Sequence, residues 1–272
     1  MLRIGKWIIR RLALLLGYEL TSKRFSELAD DPFAILALLS DQDDVLVIVD
    51  GGASIGDTSD RFASLFPKAN VYAFEPFDRF IKPLRQKAMA NHRIKVFPLA
   101  LDEQTGERTL HVNESEGTNS LLAASATGKQ IYPDLLKQKG EIKVSATSLD
   151  KWAEDQKIDR VDILKLDLQG GELGALKGAT RKLQHKSIKF VLVEISFVSQ
   201  YENQPIASDI FKHLEFHGYG LFNLYQCLYH SGQIIQADAI FIEQSTLAEL
   251  RSSKHSIFHH RSRIPCQIAG IS

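Results

Sequence analysis

The chain has 272 residues, with 33 basic and 33 acidic side chains, so its formal net charge is 0. Its apolar fraction of 44% is ordinary for a globular protein, and its length allows one large domain with short extensions. Because no net charge draws the protein to nucleic acid, we expect no nucleic-acid partner. The two cysteines show neither a metal-ligand spacing nor a disulfide framework. These features predict a cytoplasmic protein in a reducing compartment.

Residues 1–20 are both basic and apolar. Arg10 and Arg11 interrupt the apolar run, which is then too short for a spanning helix of about 20 residues and matches a signal peptide poorly. Two interpretations remain open: a helix packed on the protein, and an anchor that associates peripherally with the inner face of the membrane. Residues 22–44 have a helical apolar pattern, so we predict an N-terminal helical extension over residues 1–44 that caps the cofactor domain.

The apolar run at residues 45–49 fits a strand that is buried on both faces. An acidic residue and a glycine-rich turn follow it: Asp50, Gly51, Gly52, Ala53 and Gly56. Such a turn lets the backbone approach a ligand at the N-terminus of the next helix. A carboxylate here would repel the pyrophosphate of a dinucleotide but suits the sulfonium and ammonium groups of S-adenosylmethionine. We therefore assign the turn to an S-adenosylmethionine site.

The next apolar strand, residues 71–74, ends at Glu75, and Pro76 stops it. An acidic residue at this place can accept hydrogen bonds from ribose hydroxyl groups, so Glu75 completes the predicted cofactor site. On the dinucleotide-binding pattern Gly-x-Gly-x-x-Gly, the turn has Ala53 where the backbone must come closest to the pyrophosphate. The glycine turn and Glu75 nevertheless keep an NAD-dependent oxidoreductase as an alternative.

Strands and helical patterns then alternate, which predicts a parallel sheet. The predicted strands of this sheet cover residues 45–49, 71–74, 94–98, 162–166, 190–195, 219–224 and 237–242. The predicted helices cover residues 58–66, 78–90, 172–183 and 206–217. Between two short β segments lies a long polar loop, residues 113–140, which is either a functional lid or disordered. Residues 244–272 are predicted to be a C-terminal tail.

Carboxylates end several predicted strands, and ligands of open parallel sheets lie beyond these strand ends. The carboxylates expected at this edge are Asp50, Glu75, Asp167 and Glu194. Methyl transfer is an in-line displacement in which orientation supplies on the order of 7–11 kcal/mol. A hydroxyl acceptor also needs a base, which typically contributes about 10²- to 10⁴-fold. We therefore expect one of these carboxylates beside the acceptor.

Four residues are candidates for the chemistry. Asp167 contacts either the methionine end of the cofactor or the acceptor, and Glu194, at the end of a buried strand, is a candidate base. Glu172 opens a predicted helix, where it either takes part in catalysis or complements the helix dipole. Lys165 interrupts its apolar strand and either pairs with a carboxylate or positions Asp167 or an acceptor oxygen. The acidic residues of this group could together hold a divalent cation, because oxygen ligands suit magnesium or calcium. No tight ligand spacing requires a metal, however, so we prefer metal-independent transfer.

Several ordered blocks of the chain agree with one family pattern. These blocks are residues 50–56, 74–76, 148–150, 163–170, 172–173 and 176–179. In them the chain resembles the FkbM-type S-adenosylmethionine-dependent methyltransferases. The resemblance implies an α/β, Rossmann-like class I methyltransferase fold over residues 45–243, with a mostly parallel seven-stranded sheet and helices on both faces. It also implies O-methylation of a sugar hydroxyl in polysaccharide, glycolipid or natural-product biosynthesis.

Two residues depart from the family pattern: Gln169 stands where Glu is frequent, and Gly171 where a larger residue is frequent. They motivate a third interpretation, a non-catalytic module that binds the cofactor. The family often has a serine in the predicted lid, so Asn119 and Ser120 are assigned to binding the acceptor, a small molecule or a glycan. The same two residues also suit a simple turn.

Overall fold

A computed structural model of the protein describes residues 30–40 and 42–252. The membrane anchor predicted within residues 1–20 and the end of the predicted tail, residues 253–272, lie outside the described residues. Within the described part of the chain, no helix is long and apolar enough to cross a membrane.

The centre of the fold is a seven-stranded sheet. Its strands are β1 (Val47–Gly51), β2 (Asn70–Phe74), β3 (Ile94–Phe97), β7 (Val161–Leu166), β8 (Ile188–Ser196), β9 (Tyr219–His230) and β10 (Gln233–Glu243). They lie in the order β3-β2-β1-β7-β8-β10-β9. Strand β10 runs antiparallel to both of its neighbours, and the remaining neighbours pair in parallel. This confirms the class I methyltransferase fold that the sequence predicted.

A smaller sheet stands beside the carboxyl end of the large one. Its strands are β4 (Ala100–Leu101), β5 (Gly106–Asn113) and β6 (Gln138–Thr147), in the order β4-β6-β5. Strands β5 and β6 pair antiparallel, and β4 pairs with β6 in parallel. The connection between β5 and β6 is the segment in which we predicted a lid.

Helices cover both faces of the large sheet. They are α1 (Pro32–Leu39), α2 (Asp57–Leu65), α3 (Asp78–Ala90), α4 (Ala126–Ile131), α5 (Leu149–Asp155), α6 (Glu172–Lys177), α7 (Thr180–Gln184), α8 (Ala207–Phe216) and α9 (Gln244–Ser252). One apolar cluster includes Trp152 of α5 and Leu214 of α8. A second cluster includes Leu247 of α9 and Phe33 of α1, whose ring lies 5.1 Å from that of Phe62 in α2. The described part of the N-terminal extension thus packs into this second cluster, rather than lying over the cofactor domain as a separate cap.

The helix predicted over residues 172–183 is divided into α6 and α7. The carbonyl oxygen of Gly178 accepts a hydrogen bond from the backbone N–H of Asp150 at 2.9 Å. This oxygen is therefore engaged outside the hydrogen bonds of a continuous helix. A side chain at Gly178 would place its Cβ 2.2 Å from the carbonyl oxygen of Asp102. Glycine therefore permits the close approach of two backbone segments that breaks the helix.

The loop predicted over residues 113–140 contains regular structure. A 3₁₀ helix at Glu116–Thr118 and helix α4 interrupt it. We call residues 114–137, between β5 and β6, the lid segment. The backbone N–H of Ser120 donates to the carbonyl oxygen of His111 in β5 at 3.3 Å, and the reverse bond is 2.8 Å long. These bonds hold the lid segment against the small sheet.

The first part of the predicted C-terminal tail is helix α9. Glu243 Oε2 accepts a hydrogen bond from the backbone N–H of Thr246 at 3.0 Å and caps the start of this helix. Leu247 is only 8% exposed, because it packs into the second apolar cluster. Residues 244–252 therefore pack on the domain, which corrects the prediction of a tail that begins at residue 244.

Candidate active site

A cleft of about 110 Å³ opens at the carboxyl ends of β1, β2 and β7. The predicted site residues that line it are Gly52, Glu75, Asn119, Ser120 and Asp167. The other predicted site residues lie outside its wall: Asp50, Gly51, Ala53, Gly56, Lys165, Glu172 and Glu194. The cleft thus lies at the edge of the sheet at which the sequence placed the site, and seven of the predicted residues lie outside its wall.

Asp50 and Lys165 form a buried ion pair beneath the glycine turn. Lys165 Nζ lies 3.2 Å from Asp50 Oδ1, and it donates to the carbonyl oxygens of Gly51 at 3.2 Å and Gly52 at 3.1 Å. Burial lowers the pKa of Lys165, but the nearby carboxylates of Asp50 and Asp167 outweigh burial and hold the pKa above its ordinary value. Asp50 is fully buried, so it does not face a ligand. This corrects its predicted role: Asp50 supports the turn that it precedes.

The glycine turn brings β1 against the end of β7. Gly52 has a φ of 73°, and a Cβ at this position would lie 1.9 Å from the carbonyl oxygen of Asp167. Gly56, with a φ of 89°, caps α2, and a Cβ there would lie 2.7 Å from Leu84 Cδ1. Both positions need the left-handed backbone region that glycine adopts without strain. Ala53 is 2% exposed and forms part of the core beneath the turn.

Glu75 lies at the end of β2, on the cleft wall. Its Oε2 accepts a hydrogen bond from the backbone N–H of Ser54 at 2.8 Å, and its Oε1 accepts one from the backbone N–H of Phe77 at 2.8 Å. Burial raises its pKa to about 6, although these two hydrogen bonds act in the opposite direction. Each oxygen keeps a lone pair that can accept a hydrogen bond from a ligand hydroxyl.

Gln169 connects the two carboxylates that we predicted to carry the chemistry. Its Nε2 donates to Asp167 Oδ1 at 2.8 Å and to Glu194 Oε2 at 3.2 Å. The hydroxyl of Tyr201 lies 3.1 Å from Gln169 Oε1 and 2.9 Å from the carbonyl oxygen of Thr118, and these two acceptors share its single proton. Because Oε1 is an acceptor, the amide group must point both of its N–H donors toward the carboxylates. Gln169 thus fixes the distance between Asp167 and Glu194.

Glu194 stands in an acidic environment behind Gln169. Its cross-strand partner on β10 is Asp238. Burial and the charges of Asp167, Glu172 and Asp238 raise the pKa of Glu194 well above its ordinary value. Burial also raises the pKa of Asp238 to about 6. Within the described residues, no group of three or more His, Cys, Asp or Glu side chains is arranged to hold a metal ion.

Glu172 folds back onto the turn that precedes its own helix. Its Oε1 accepts hydrogen bonds from the backbone N–H groups of Leu168 at 2.7 Å and Gly170 at 3.2 Å. Burial raises its pKa to about 7. Of the two interpretations of Glu172, these contacts favour the structural one, because its carboxylate is occupied by the turn that carries Gln169.

The lid segment closes the cleft opposite Glu75. Ser120 Oγ donates to the carbonyl oxygen of Gln169 at 2.6 Å and accepts from the backbone N–H of Leu122 at 3.0 Å. Asn119 Oδ1 accepts from the backbone N–H of Asn113 at 2.9 Å. Asn119 Nδ2 is buried and has no hydrogen-bond partner in the described part of the chain. Asn119 and Ser120 thus line the cleft, while Asn119 Oδ1 and Ser120 Oγ are held within the lid segment and against the turn of Gln169.

Sequence reasoning missed the contacts that organise Asp167 and Glu194. Gln169 was noted only for its departure from the family pattern, and Tyr201 and Asp238 were not singled out. Tyr201 follows β8 in a connection without a recognisable motif. Asp238 had one available signal: it is a charged residue inside an apolar strand, which requires a partner or a ligand when it is buried.

Comparison with known proteins identifies the family of this chain. Residues 50–221 match the methyltransferase FkbM domain family. The 2-O-methyltransferase NoeI of Sinorhizobium fredii is 25% identical over 215 residues, which are 75% of this chain and 86% of that protein. The hexuronic acid methyltransferase AglP of Haloferax volcanii is 28% identical over 173 residues, which are 63% of this chain and 65% of that protein.

A solved structure, the methyltransferase FkbM of Methylobacillus flagellatus, aligns with a TM-score of 0.48 and 18% sequence identity. The alignment covers 73% of this chain and 44% of that one, so this chain matches less than half of its length. The family match itself spans more than half of the present chain. This family match decides against the two alternatives that the sequence had left open, an NAD-dependent oxidoreductase and a non-catalytic module. The chain belongs to the methyltransferase FkbM domain family and is a methyltransferase, an enzyme for which the family implies the use of S-adenosylmethionine.

Proposed function

We propose that the protein transfers a methyl group from S-adenosylmethionine to a hydroxyl group of a sugar, during assembly of a polysaccharide, a glycolipid or a natural product. The observation that carries this proposal is the pair of carboxylates, Asp167 and Glu194, joined by Gln169 beside the cleft. An alcohol is a poor nucleophile while it is protonated, so its methylation needs a proton acceptor at such a place. Two relatives are named as a 2-O-methyltransferase and as a hexuronic acid methyltransferase, which favours a sugar acceptor.

The residues of the cleft fit S-adenosylmethionine. Glu75 offers carboxylate oxygens to ribose hydroxyl groups, and Asp167, 41% exposed, offers a carboxylate to a cation. The apolar part of the wall suits a flat aromatic base. It is formed by Phe74, Pro76, Phe77, Leu99 and Leu101. When bound, the cofactor supplies a methyl group activated by a positively charged sulfur.

Asp167 and Glu194 have different parts in this proposal. Asp167 lines the cleft and takes the proton from the acceptor hydroxyl. Glu194 lies behind Gln169 and acts as a positioning residue, because its hydrogen bond to Nε2 fixes the amide that also holds Asp167. Lys165 Nζ lies 3.8 Å from Asp167 Oδ2, so a buried cation stands beside the carboxylate that takes the proton.

A transfer assay tests the proposal. Purified protein is incubated with methyl-labelled S-adenosylmethionine and a panel of oligosaccharides, and the product is analysed by NMR to locate the new methyl group. We expect a methyl ether on a sugar oxygen, and Asp167→Asn should lower kcat by about 10²- to 10⁴-fold. Asp134→Asn is the matched control, because Asp134 is exposed and lies outside the cleft wall. A label found on nitrogen or on sulfur, or on none of the oligosaccharides, would contradict the proposal.

A further inference from the structure

We propose that the sugar ring that receives the methyl group is non-anionic, either neutral or an amino sugar, and that the site discriminates against a uronic acid ring. This inference rests on the proposed function, because it concerns the acceptor of that reaction. It is carried by the charges of the cleft wall and by the contacts of the cations nearest to it.

The cleft wall is acidic. It carries the carboxylates of Glu75, Glu116 and Asp167, and no Lys, Arg or His is found among the described residues that line it. Glu172 and Glu194 lie directly behind the turn of Gln169, but burial raises the pKa of both, so they are not counted among these charges. A sugar carboxylate bound in this cleft would therefore lie close to several groups of its own charge.

The nearest cations are already engaged. Lys165 holds Asp50 and the carbonyl oxygens of Gly51 and Gly52, and its side chain is 7% exposed. Arg79 forms an ion pair with Glu116, and its side chain is 72% exposed. The charge of Arg79 is therefore balanced by one carboxylate and screened by solvent. Neither cation is free to neutralise a carboxylate on the acceptor.

The size of the expected discrimination follows from Coulomb's law. One like charge at about 7 Å weakens binding by about fiftyfold at an effective dielectric constant of about 20. The ion pair of Arg79 with Glu116 offsets part of this repulsion, and Asp167 is partly exposed to solvent. We therefore expect a discrimination of at least about tenfold against a uronic acid at low salt.

The same wall suits the polar groups of a non-anionic sugar. Hydroxyl groups can donate to the carboxylates of Glu116 and Asp167, and the amino group of an amino sugar would pair with either of them. A polar but uncharged or cationic ring therefore satisfies the carboxylates of this wall.

Two glycines offer a charge-reversal test with a matched control. A Cβ at Gly117, on the cleft wall, or at Gly140, in β6 and outside that wall, would have no heavy atom of the described residues within 4 Å. Either position therefore accommodates the Cβ of a substituted side chain. Gly117→Lys places a cation beside the acceptor, whereas Gly140→Lys makes the same change of charge away from it.

The experiment measures kcat/KM for matched oligosaccharide pairs of glucose and glucuronate, galactose and galacturonate, and mannose and mannuronate, together with glucosamine oligomers. For the wild type we expect the neutral or amino member to exceed the uronate by at least about tenfold. Gly117→Lys should reduce that ratio by about fivefold or more, and Gly140→Lys should leave it unchanged within about twofold.

The outcomes separate this inference from the function on which it rests. Methylation of a uronate as fast as that of its neutral partner by the wild type would overturn the inference and leave sugar methylation standing. Equal effects of Gly117→Lys and Gly140→Lys would also overturn it, because the cleft charge would then not set the preference. Methylation of none of the sugars would overturn the proposed function, and the inference would fall with it.

Discussion

Lys165 Nζ lies 3.2 Å from Asp50 Oδ1, and the two residues come from neighbouring strands of the sheet. The Asp50 side chain is fully buried and that of Lys165 is 7% exposed. Because Lys165 also binds the carbonyl oxygens of Gly51 and Gly52, the pair fixes the turn that borders the cleft. The opposite charges of the pair therefore stabilise the scaffold, and we propose that the ligand contacts come from Glu75 and Asp167.

Removal of the cation should strongly destabilise the protein. Lys165→Met leaves the carboxylate of Asp50 buried without its cation, and such a change typically costs about 3–5 kcal/mol in the free energy of unfolding. The loss is measured by urea denaturation. Lys151→Met is the control, because the ion pair of Lys151 with Asp155 is exposed and should be worth about 1 kcal/mol or less. A loss for Lys165→Met no larger than that of the control would show that the pair does not hold the turn.

Gly52→Ala should abolish cofactor binding or prevent folding. A Cβ at this position would lie 1.9 Å from the carbonyl oxygen of Asp167, and the φ of 73° is strained for any residue with a side chain. Binding of S-adenosylhomocysteine and thermal unfolding are measured together. Gly140→Ala is the control, since a Cβ there meets no described heavy atom within 4 Å and the residue lies outside the cleft wall. Normal binding and stability of Gly52→Ala would contradict the described approach of β1 to β7.

Glu75 should make cofactor affinity depend on pH. Burial raises the pKa of Glu75 to about 6, so the group loses its charge as the pH falls through about 6. The affinity for S-adenosylhomocysteine should then decrease, because a protonated carboxyl accepts hydrogen bonds less well. Titration calorimetry between about pH 7.5 and pH 5 measures this, and Glu75→Gln should flatten the profile. A wild-type profile that is already flat would contradict a ligand role for Glu75.

The effect of Glu75 on the free energy of unfolding changes with pH in the direction opposite to its effect on cofactor affinity. Its folded-state pKa of about 6 lies above the unfolded value of 4.5, so its contribution is fully present below pH 4.5 and is lost as the pH rises through about 6. The difference corresponds to about 2 kcal/mol. The stability of the wild type relative to that of Glu75→Gln, measured by urea denaturation, should therefore fall as the pH rises through about 6, because Gln does not titrate. The amide also leaves one of the two backbone N–H donors without an acceptor, which adds an offset that does not change with pH.

Tyr201→Phe should reduce activity more than its loss of stability explains. The hydroxyl of Tyr201 orients the amide of Gln169 and holds the lid segment at Thr118. We expect a loss of about 1 kcal/mol of unfolding free energy and a several-fold increase in the acceptor KM. Tyr219→Phe is the control, because its buried hydroxyl donates to the carbonyl oxygen of Ile188 at 2.7 Å, away from the cleft. Equal activity of the two variants would contradict the orienting role.

Local patterns were sufficient to predict the order of strands and helices. The run at residues 45–49 and the one at residues 71–74 coincide with β1 and β2 within two residues, because an apolar run bounded by acidic residues, Gly or Pro is a local signal. The break at Gly178 was not predictable in this way, since it depends on a contact with Asp102, 76 residues earlier in the chain. The ends of β9 and β10 extend beyond their predicted bounds, where polar residues replace the apolar pattern.

The location of the cleft was predictable from the sequence, but the side-chain contacts around it were not. The carboxyl ends of parallel strands meet at one edge, which brings Glu75 and Asp167 to the cleft. Whether a carboxylate at such an end faces the ligand depends on neighbouring strands: Lys165 on β7 neutralises Asp50, and Gln169 separates Glu194 from the cleft. These pairings arise only when the sheet has formed, so motif spacing does not contain them.

Calorimetric titration of the protein with S-adenosylmethionine, and separately with NAD, tests the central claim most directly. We expect micromolar binding of S-adenosylmethionine, no detectable binding of NAD, and at least about tenfold weaker binding of S-adenosylmethionine by Glu75→Ala. Glu107→Ala, a change of an exposed glutamate in β5, should bind like the wild type. Binding of NAD without binding of S-adenosylmethionine would contradict the account of this cleft as a methyl-donor site.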